Sequence, residues 1–119
     1  GENFAQRNVL PPNVRSLSLN CNNGFYTGNL SDTVEEIELR YNFNLELNNL
    51  PSSIKKITFD KESRYNRELN CLPYKLSTLQ LPSGYNKQIQ NIPSALRKVI
   101  CFEYYSYHKD FYGIEVILY

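Results

Sequence analysis

A phrase of about ten residues returns five times along this chain. Set in register on the first apolar residue of each copy, it reads LPPNVRSLSL from Leu10, LSDTVEEIEL from Leu30, LPSSIKKITF from Leu50, LPYKLSTLQL from Leu72 and IPSALRKVIC from Ile92, with starts 20, 20, 22 and 20 residues apart. Every copy carries an aliphatic side chain at offsets zero, four and seven and an apolar one at offset nine. A fixed period near twenty residues is the signature of a solenoid, in which each coil follows the same path and buries its apolar side chains against the next. Offsets seven and nine have the strand period of two, so each coil contributes a short strand with that pair turned inward. Proline at offset one (Pro11, Pro51, Pro73, Pro93) has no N–H for a ladder and belongs just ahead of the strand, where the coil turns. Equivalent strands then stack in parallel at roughly 4.8 Å.

A second column follows the strands. Phe43-Asn44, Tyr65-Asn66 and Tyr85-Asn86 are each followed, four residues beyond the ring, by Leu47, Leu69 or Ile89. The rings are expected to fill the side of the coil opposite the strands, with tyrosine hydroxyls left in water. The asparagines are expected to bond backbone groups in a turn. The two additional residues of the third unit are placed near Lys61-Glu62, in a surface loop. A weaker sixth copy, GIEVILY, arrives two residues early and puts Ile114, Ile117 and Tyr119 on the inward column. The expected organisation is a single solenoid domain over residues 1–119, with repeats starting near 10, 30, 50, 72 and 92 and a partial repeat or cap at 111–119.

The pattern LPxx(V/I/L)xx(L/I)x(L/F), followed by an (F/Y)N pair and an aliphatic residue, as in LPYKLSTLQLPSGYNKQI, resembles the FNIP repeats, a leucine-rich-repeat variant common in social amoebae and amoeba-infecting giant viruses. The resemblance runs from about Leu10 to Phe111. The expected fold is a leucine-rich-repeat-like solenoid, with short parallel strands on the concave face and irregular coil, with little or no helix, on the convex face. The chain departs from the family pattern at Phe25-Tyr26, at the LS that opens the second unit and at Tyr105-Ser106. Units at the ends of such a stack are expected to be atypical, because they cap it. The resemblance further implies the substrate-receptor part of a ubiquitin ligase as one possible role, although no F-box residues are visible. It implies a cytoplasmic setting, host cytoplasm or virion if the source is viral.

Thirteen basic and twelve acidic side chains leave a net charge of +1, so no overall field would gather nucleic acid or an anionic membrane. No apolar run approaches the eighteen or so residues of a membrane span, and the polar opening GENFAQRN has no secretory core. Cys21, Cys71 and Cys101 are odd in number, show no CxxC and have only His108 to join them, which argues against zinc and against a disulfide framework. A reducing compartment is the simpler setting. Asn29-Leu30-Ser31 is read as a chance glycosylation triplet. No GxSxG, phosphate cradle or metal quartet appears, and His108 lacks a nucleophile at a recognisable spacing, so neither an enzyme nor a cofactor is expected.

Function therefore has to reside on a surface. Offsets six, eight and ten predict three outward columns on the sheet: Ser16, Glu36, Lys56, Thr78, Lys98; then Ser18, Glu38, Thr58, Gln80, Ile100; then Asn20, Arg40, Asp60, Pro82, Phe102. Glu36 beside Lys56 and Arg40 beside Asp60 are expected to fix lateral register, and these lysine and arginine counter-ions make Glu36 and Glu38 a poor acid–base pair. At the C-terminal end Ile100, Phe102, Val116 and Leu118 are expected to face outward beside Tyr104, Tyr105, Tyr107, Phe111 and Tyr119, and apolar residues gathered on a sheet face mark a contact. The candidate partner-binding residues are Glu36, Glu38, Arg40, Lys56, Thr58, Gln80, Ile100, Phe102, Val116 and Leu118. The expected partner is a protein; the alternative is a self-assembling structural protein that pairs through its C-terminal edge strand, with a homodimer through that strand as one form of it.

Overall fold

The computed structural model describes residues 13–21 and 30–119. Leu10 and Pro11 of the first phrase, the Phe25-Tyr26 pair and Asn29 lie outside the described residues. Six short strands are found among the described residues: β1 (Ser16–Leu19), β2 (Glu36–Leu39), β3 (Lys56–Phe59), β4 (Thr78–Gln80), β5 (Lys98–Cys101) and β6 (Glu115–Leu118). They form one parallel sheet in chain order, a β-solenoid of about five turns whose other regular element among these residues is a single 3-10 turn at His108–Asp110. Like offsets pair with like through β5, as the repeat demands: Leu17 with Ile37, Ile37 with Ile57, Ile57 with Leu79 and Leu79 with Val99.

Two turns shape each coil. In the first, the N–H at offset four donates to the carbonyl at offset one: Val34 to Ser31, Ile54 to Pro51, Leu76 to Pro73 and Leu96 to Pro93. Proline suits offset one because the turn uses its carbonyl and makes no demand on the missing N–H. In the second, Phe43 N–H donates to Arg40, Tyr85 to Pro82 and Tyr105 to Phe102. The third coil closes this turn with Ser63 N–H on Asp60, and Tyr65 N–H then donates to Ser63 Oγ. The two additional residues are thus Ser63 and Arg64, with Ser63 buried, and not the exposed Lys61-Glu62 of the sequence expectation.

The inward columns are buried where a coil lies on both sides. Val34, Ile54, Leu76 and Leu96 sit at offset four, Ile37, Ile57, Leu79 and Val99 at offset seven, and Leu39, Phe59, Leu81 and Cys101 at offset nine. Opposite them run Phe43, Tyr65, Tyr85 and Tyr105, and then Leu47, Leu69 and Ile89. Tyr105 belongs to this interior, with its ring 6.4 Å from that of buried Phe111, so neither residue contributes to the outward patch expected of them.

The tyrosine hydroxyls are not left in water. Tyr65 donates to Leu45 O at 2.9 Å, Tyr85 to Arg67 O at 2.8 Å and Tyr105 to Lys87 O at 2.6 Å. Each phenol thus ties its coil to the carbonyl two residues past the ring of the preceding coil. Burial raises the pKa of all three phenols, that of Tyr65 to about 12, because a phenolate is poorly solvated there. The asparagines also act between coils more than within a turn: Asn66 Nδ2 donates to Asn86 Oδ1 at 2.9 Å, and Asn86 N–H donates to Asn66 Oδ1 at 3.0 Å.

The last coil breaks the rhythm. Lys98 pairs with Glu115, only 17 residues on, and Val99, Ile100 and Cys101 pair with Val116, Ile117 and Leu118. A shift by an odd number reverses which side chains face the interior. Val116 and Leu118 therefore continue the inward columns, and Ile117 stands on the outward face, the opposite of the sequence expectation for all three.

Candidate functional site

Outward on the sheet, the N-terminal coils are charged. Glu36 lies opposite Lys56 in register, yet the ion pair that forms among the described residues runs along a strand, from Arg40 Nη1 to Glu38 Oε1 at 3.1 Å. Glu38 Oε1 also accepts Ser18 Oγ at 3.3 Å. Asp60 Oδ1 accepts Glu62 N–H at 2.9 Å and so is engaged in its own turn. The lateral pair expected of Arg40 with Asp60 gives way to these nearer partners, and Glu36 and Lys56, though in register, form no ion pair among the described residues. Such exposed pairs contribute about 0–1 kcal/mol each.

Gln80 has a backbone task that the sequence reading missed. At offset ten, Arg40 N–H donates to Leu19 O and Asp60 N–H to Leu39 O, one ladder bond per coil. The fourth coil has Pro82 at this offset, with no N–H, and Gln80 Nε2 donates to Phe59 O in its place at 2.8 Å. Pro82 itself is buried, contrary to its assignment to an outward column. Glu38, Arg40, Thr58, Asp60, Lys61 and Gln80 contribute to the lining of an open groove of about 440 Å³ beside the C-terminal ends of β2, β3 and β4.

From the fifth coil onward the face becomes more apolar. Ile100 and Phe102 are half-buried on it, and Ile117, 39% exposed, continues the column of Ile100. Tyr119 follows at offset ten: its N–H donates to Cys101 O, its ring lies 5.8 Å from that of Phe102, and its hydroxyl donates to Leu81 O at 2.7 Å. Lys61 Nζ sits 4.6 Å from the centre of the Tyr119 ring, bringing a cation to the boundary between the two halves. Burial pushes the Tyr119 phenol up to about 12. Phe102 also meets Tyr104, which is 77% exposed, edge-on at 5.4 Å.

Of the ten candidate residues, Glu36, Glu38, Arg40, Lys56, Thr58, Gln80, Ile100 and Phe102 lie on the outward side of the sheet. Val116 and Leu118 do not. Ile117, Tyr119 and Lys61 join the site instead. The alternation in EVIL carries the signal for Ile117 only once the length of the preceding loop is known.

Cys101 is buried at offset nine and its thiol is pushed up by that burial, the behaviour of a small apolar filler. Cys21 and Cys71 are exposed and form no disulfide. Among the described residues no cluster of histidine, cysteine and carboxylates could hold a metal ion, and no helix is long and apolar enough to cross a membrane.

Parallel coils of about twenty residues, each with an inward aliphatic set and an aromatic column behind it, define a repeat solenoid of the leucine-rich type. A family model for the FNIP Repeat matches residues 22–62, which span the second coil and its neighbours, and the same unit recurs through the coils that follow. The match supports an FNIP-type repeat protein. Comparison with curated proteins and with solved structures gave no match. A repeat solenoid of this kind is a scaffold typical of non-enzymatic interaction proteins.

Proposed function

We propose that this solenoid is a protein-interaction module whose outward sheet face takes the partner. Ile100, Phe102, Ile117 and Tyr119 anchor it, and the charged side chains of the second and third coils orient it. The observation that carries this reading is the gathering of apolar side chains on solvent-facing columns of a sheet whose interior is already filled. Aromatic and aliphatic anchors of this kind supply most of the energy in protein interfaces, while surrounding charges act on orientation and encounter rate. Glu36 and Lys56 have no ion-pair partner within the described residues, so their charges are open to a partner.

The test is selection of peptides on the wild-type protein from a displayed random library. Each selected peptide is then measured against a Phe102→Ala, Ile117→Ser double variant and against Tyr74→Ser, which alters an exposed tyrosine outside the strands. Binding at least about tenfold weaker to the double variant, roughly 1.4 kcal/mol, with Tyr74→Ser unchanged, supports the assignment. Equal binding to all three proteins refutes it.

A further inference from the structure

The parity of β6 fixes which of its backbone groups are spoken for. Glu115 N–H donates to Arg97 O, Tyr119 N–H to Cys101 O, and Glu103 N–H to Tyr119 O, so the odd-numbered residues turn their backbone polar groups toward the preceding coil. In a parallel ladder, successive residues serve opposite neighbours. Val116 and Leu118 therefore direct both N–H and C=O away from β5, along an edge that no described strand covers. Their side chains lie on the inward columns, yet Leu118 is 46% exposed, since no described strand lies beyond β6 to cover it.

We infer that a second copy of this chain occupies that edge, with its β6 antiparallel to the first about a two-fold axis at Ile117. The sequence is complementary to itself in that register. Val116 lies opposite Leu118 of the partner copy at both ends of the pair, and each of these residues exchanges N–H and C=O bonds, which gives four new hydrogen bonds. Ile117 meets its own counterpart at a non-hydrogen-bonded site. The Leu118 side chains come over Val116 of the other copy, so the two apolar interiors become continuous and the exposed leucine is covered. Glu115 falls opposite Tyr119 of the partner and not opposite another glutamate, so the register places no like charges face to face. A two-fold axis at Val116 would instead set Leu118 opposite Ile114, which lies in the bend ahead of the strand, and Ile117 opposite the Glu115 carboxylate of the partner. The closed two-fold arrangement ends growth at two copies, because each chain spends its one exposed C-terminal edge. Ile117 and Tyr119 belong to this edge and to the outward face alike, whereas Leu118 belongs to the edge alone and Phe102 to the face alone, so substitutions at those two positions let either assignment fail by itself.

Sedimentation equilibrium of the full chain across micromolar concentrations tests the pairing. The expected species has twice the chain mass of 13.9 kDa, and Leu118→Lys, which places a charge at the centre of the contact but at a position already half open to solvent, returns it to the single-chain mass with its circular dichroism spectrum intact. A second measurement fixes the register. In a Cys21→Ser, Cys71→Ser background, Ile117→Cys is expected to form an intermolecular disulfide on mild oxidation, because residues facing each other at a non-hydrogen-bonded site have Cα atoms about 4.5 Å apart. Glu115→Cys is expected to remain a thiol. A wild-type chain that stays at single mass throughout, a Leu118→Lys variant that keeps the double mass, or cross-linking of Glu115→Cys as fast as Ile117→Cys would overturn the inference.

Discussion

The second and third coils and the fifth and sixth are built on one interior plan and present opposite exteriors. Ile37 and Leu39 in β2 do the same packing work as Val99 and Cys101 in β5, and each pair is buried. Turned outward between them, Glu36 and Glu38 meet water in one coil, whereas Ile100 stands out in the other and Ile117 continues its column in β6. The charged half is partly satisfied from within: Glu38 holds Arg40 and Ser18, and Asp60 closes its own turn. The apolar half leaves Ile117 and Tyr104 exposed, and half-buried Phe102 with them. The repeat dictates the interior, so what distinguishes one coil from another is written on the columns the repeat leaves free.

The largest effect is expected from alkali, and it separates the two halves because the aromatic column is phenylalanine in the second coil and tyrosine from the third onward. Below the ordinary phenol value of 10.0 both folded and unfolded chains keep these protons, and stability is fully present. As pH rises from there toward about 12, the unfolded chain releases protons that the buried phenols hold, so stability falls through that window. Denaturant midpoints measured across this range should drop steeply, and Tyr85→Phe with Tyr105→Phe should flatten the drop. A midpoint independent of pH would contradict the burial of these phenols.

Next in size is Leu79→Ala in the shared interior, expected to cost about 3–5 kcal/mol, a large part of the stability of a domain this small. Outward Ile117→Ala should cost under about 1 kcal/mol, and equal costs in denaturant melts would erase the distinction between inward and outward columns. Smaller again is Gln80→Leu, which removes the substitute for the missing Pro82 N–H and strands the Phe59 carbonyl. A loss of about 1–3 kcal/mol is expected, with no such loss for Thr58→Val on the neighbouring strand. The smallest is Arg40→Ala, expected within about 0.5 kcal/mol of wild type by the same melts, since its ion pair is solvent-exposed.

The interior was legible because every middle coil sees the same neighbours, so Val34, Ile54, Leu76 and Leu96 could be aligned without any structure. The position of Tyr105 was harder to read because Ser106 replaces the usual asparagine, although the ring still takes its place in the column. Legibility failed where a backbone exception or an end intervened. Gln80 resembles any exposed polar residue until Pro82 is seen to lack the ladder donor that Arg40 and Asp60 supply. In GIEVILY either alternation satisfies the apolar pattern, and the choice rests on the offset of 17 from Lys98 to its partner Glu115, across a loop that contains Gly113, with φ near +69°, a conformation natural to glycine. The destination of the phenol hydroxyls depends on a carbonyl one coil away, a relation that no local pattern displays.

Thiol accessibility at two adjacent positions tests most directly the claim that one set of columns fills a common interior and the other is free for a partner. In a Cys21→Ser, Cys71→Ser background, Val99→Cys and Ile100→Cys are exposed to a soluble maleimide under native conditions, with unlabelled Cys101 as the internal reference. The account predicts prompt labelling at position 100 and labelling at position 99 only as slowly as at Cys101. Position 99 reacting as fast as position 100 would contradict it.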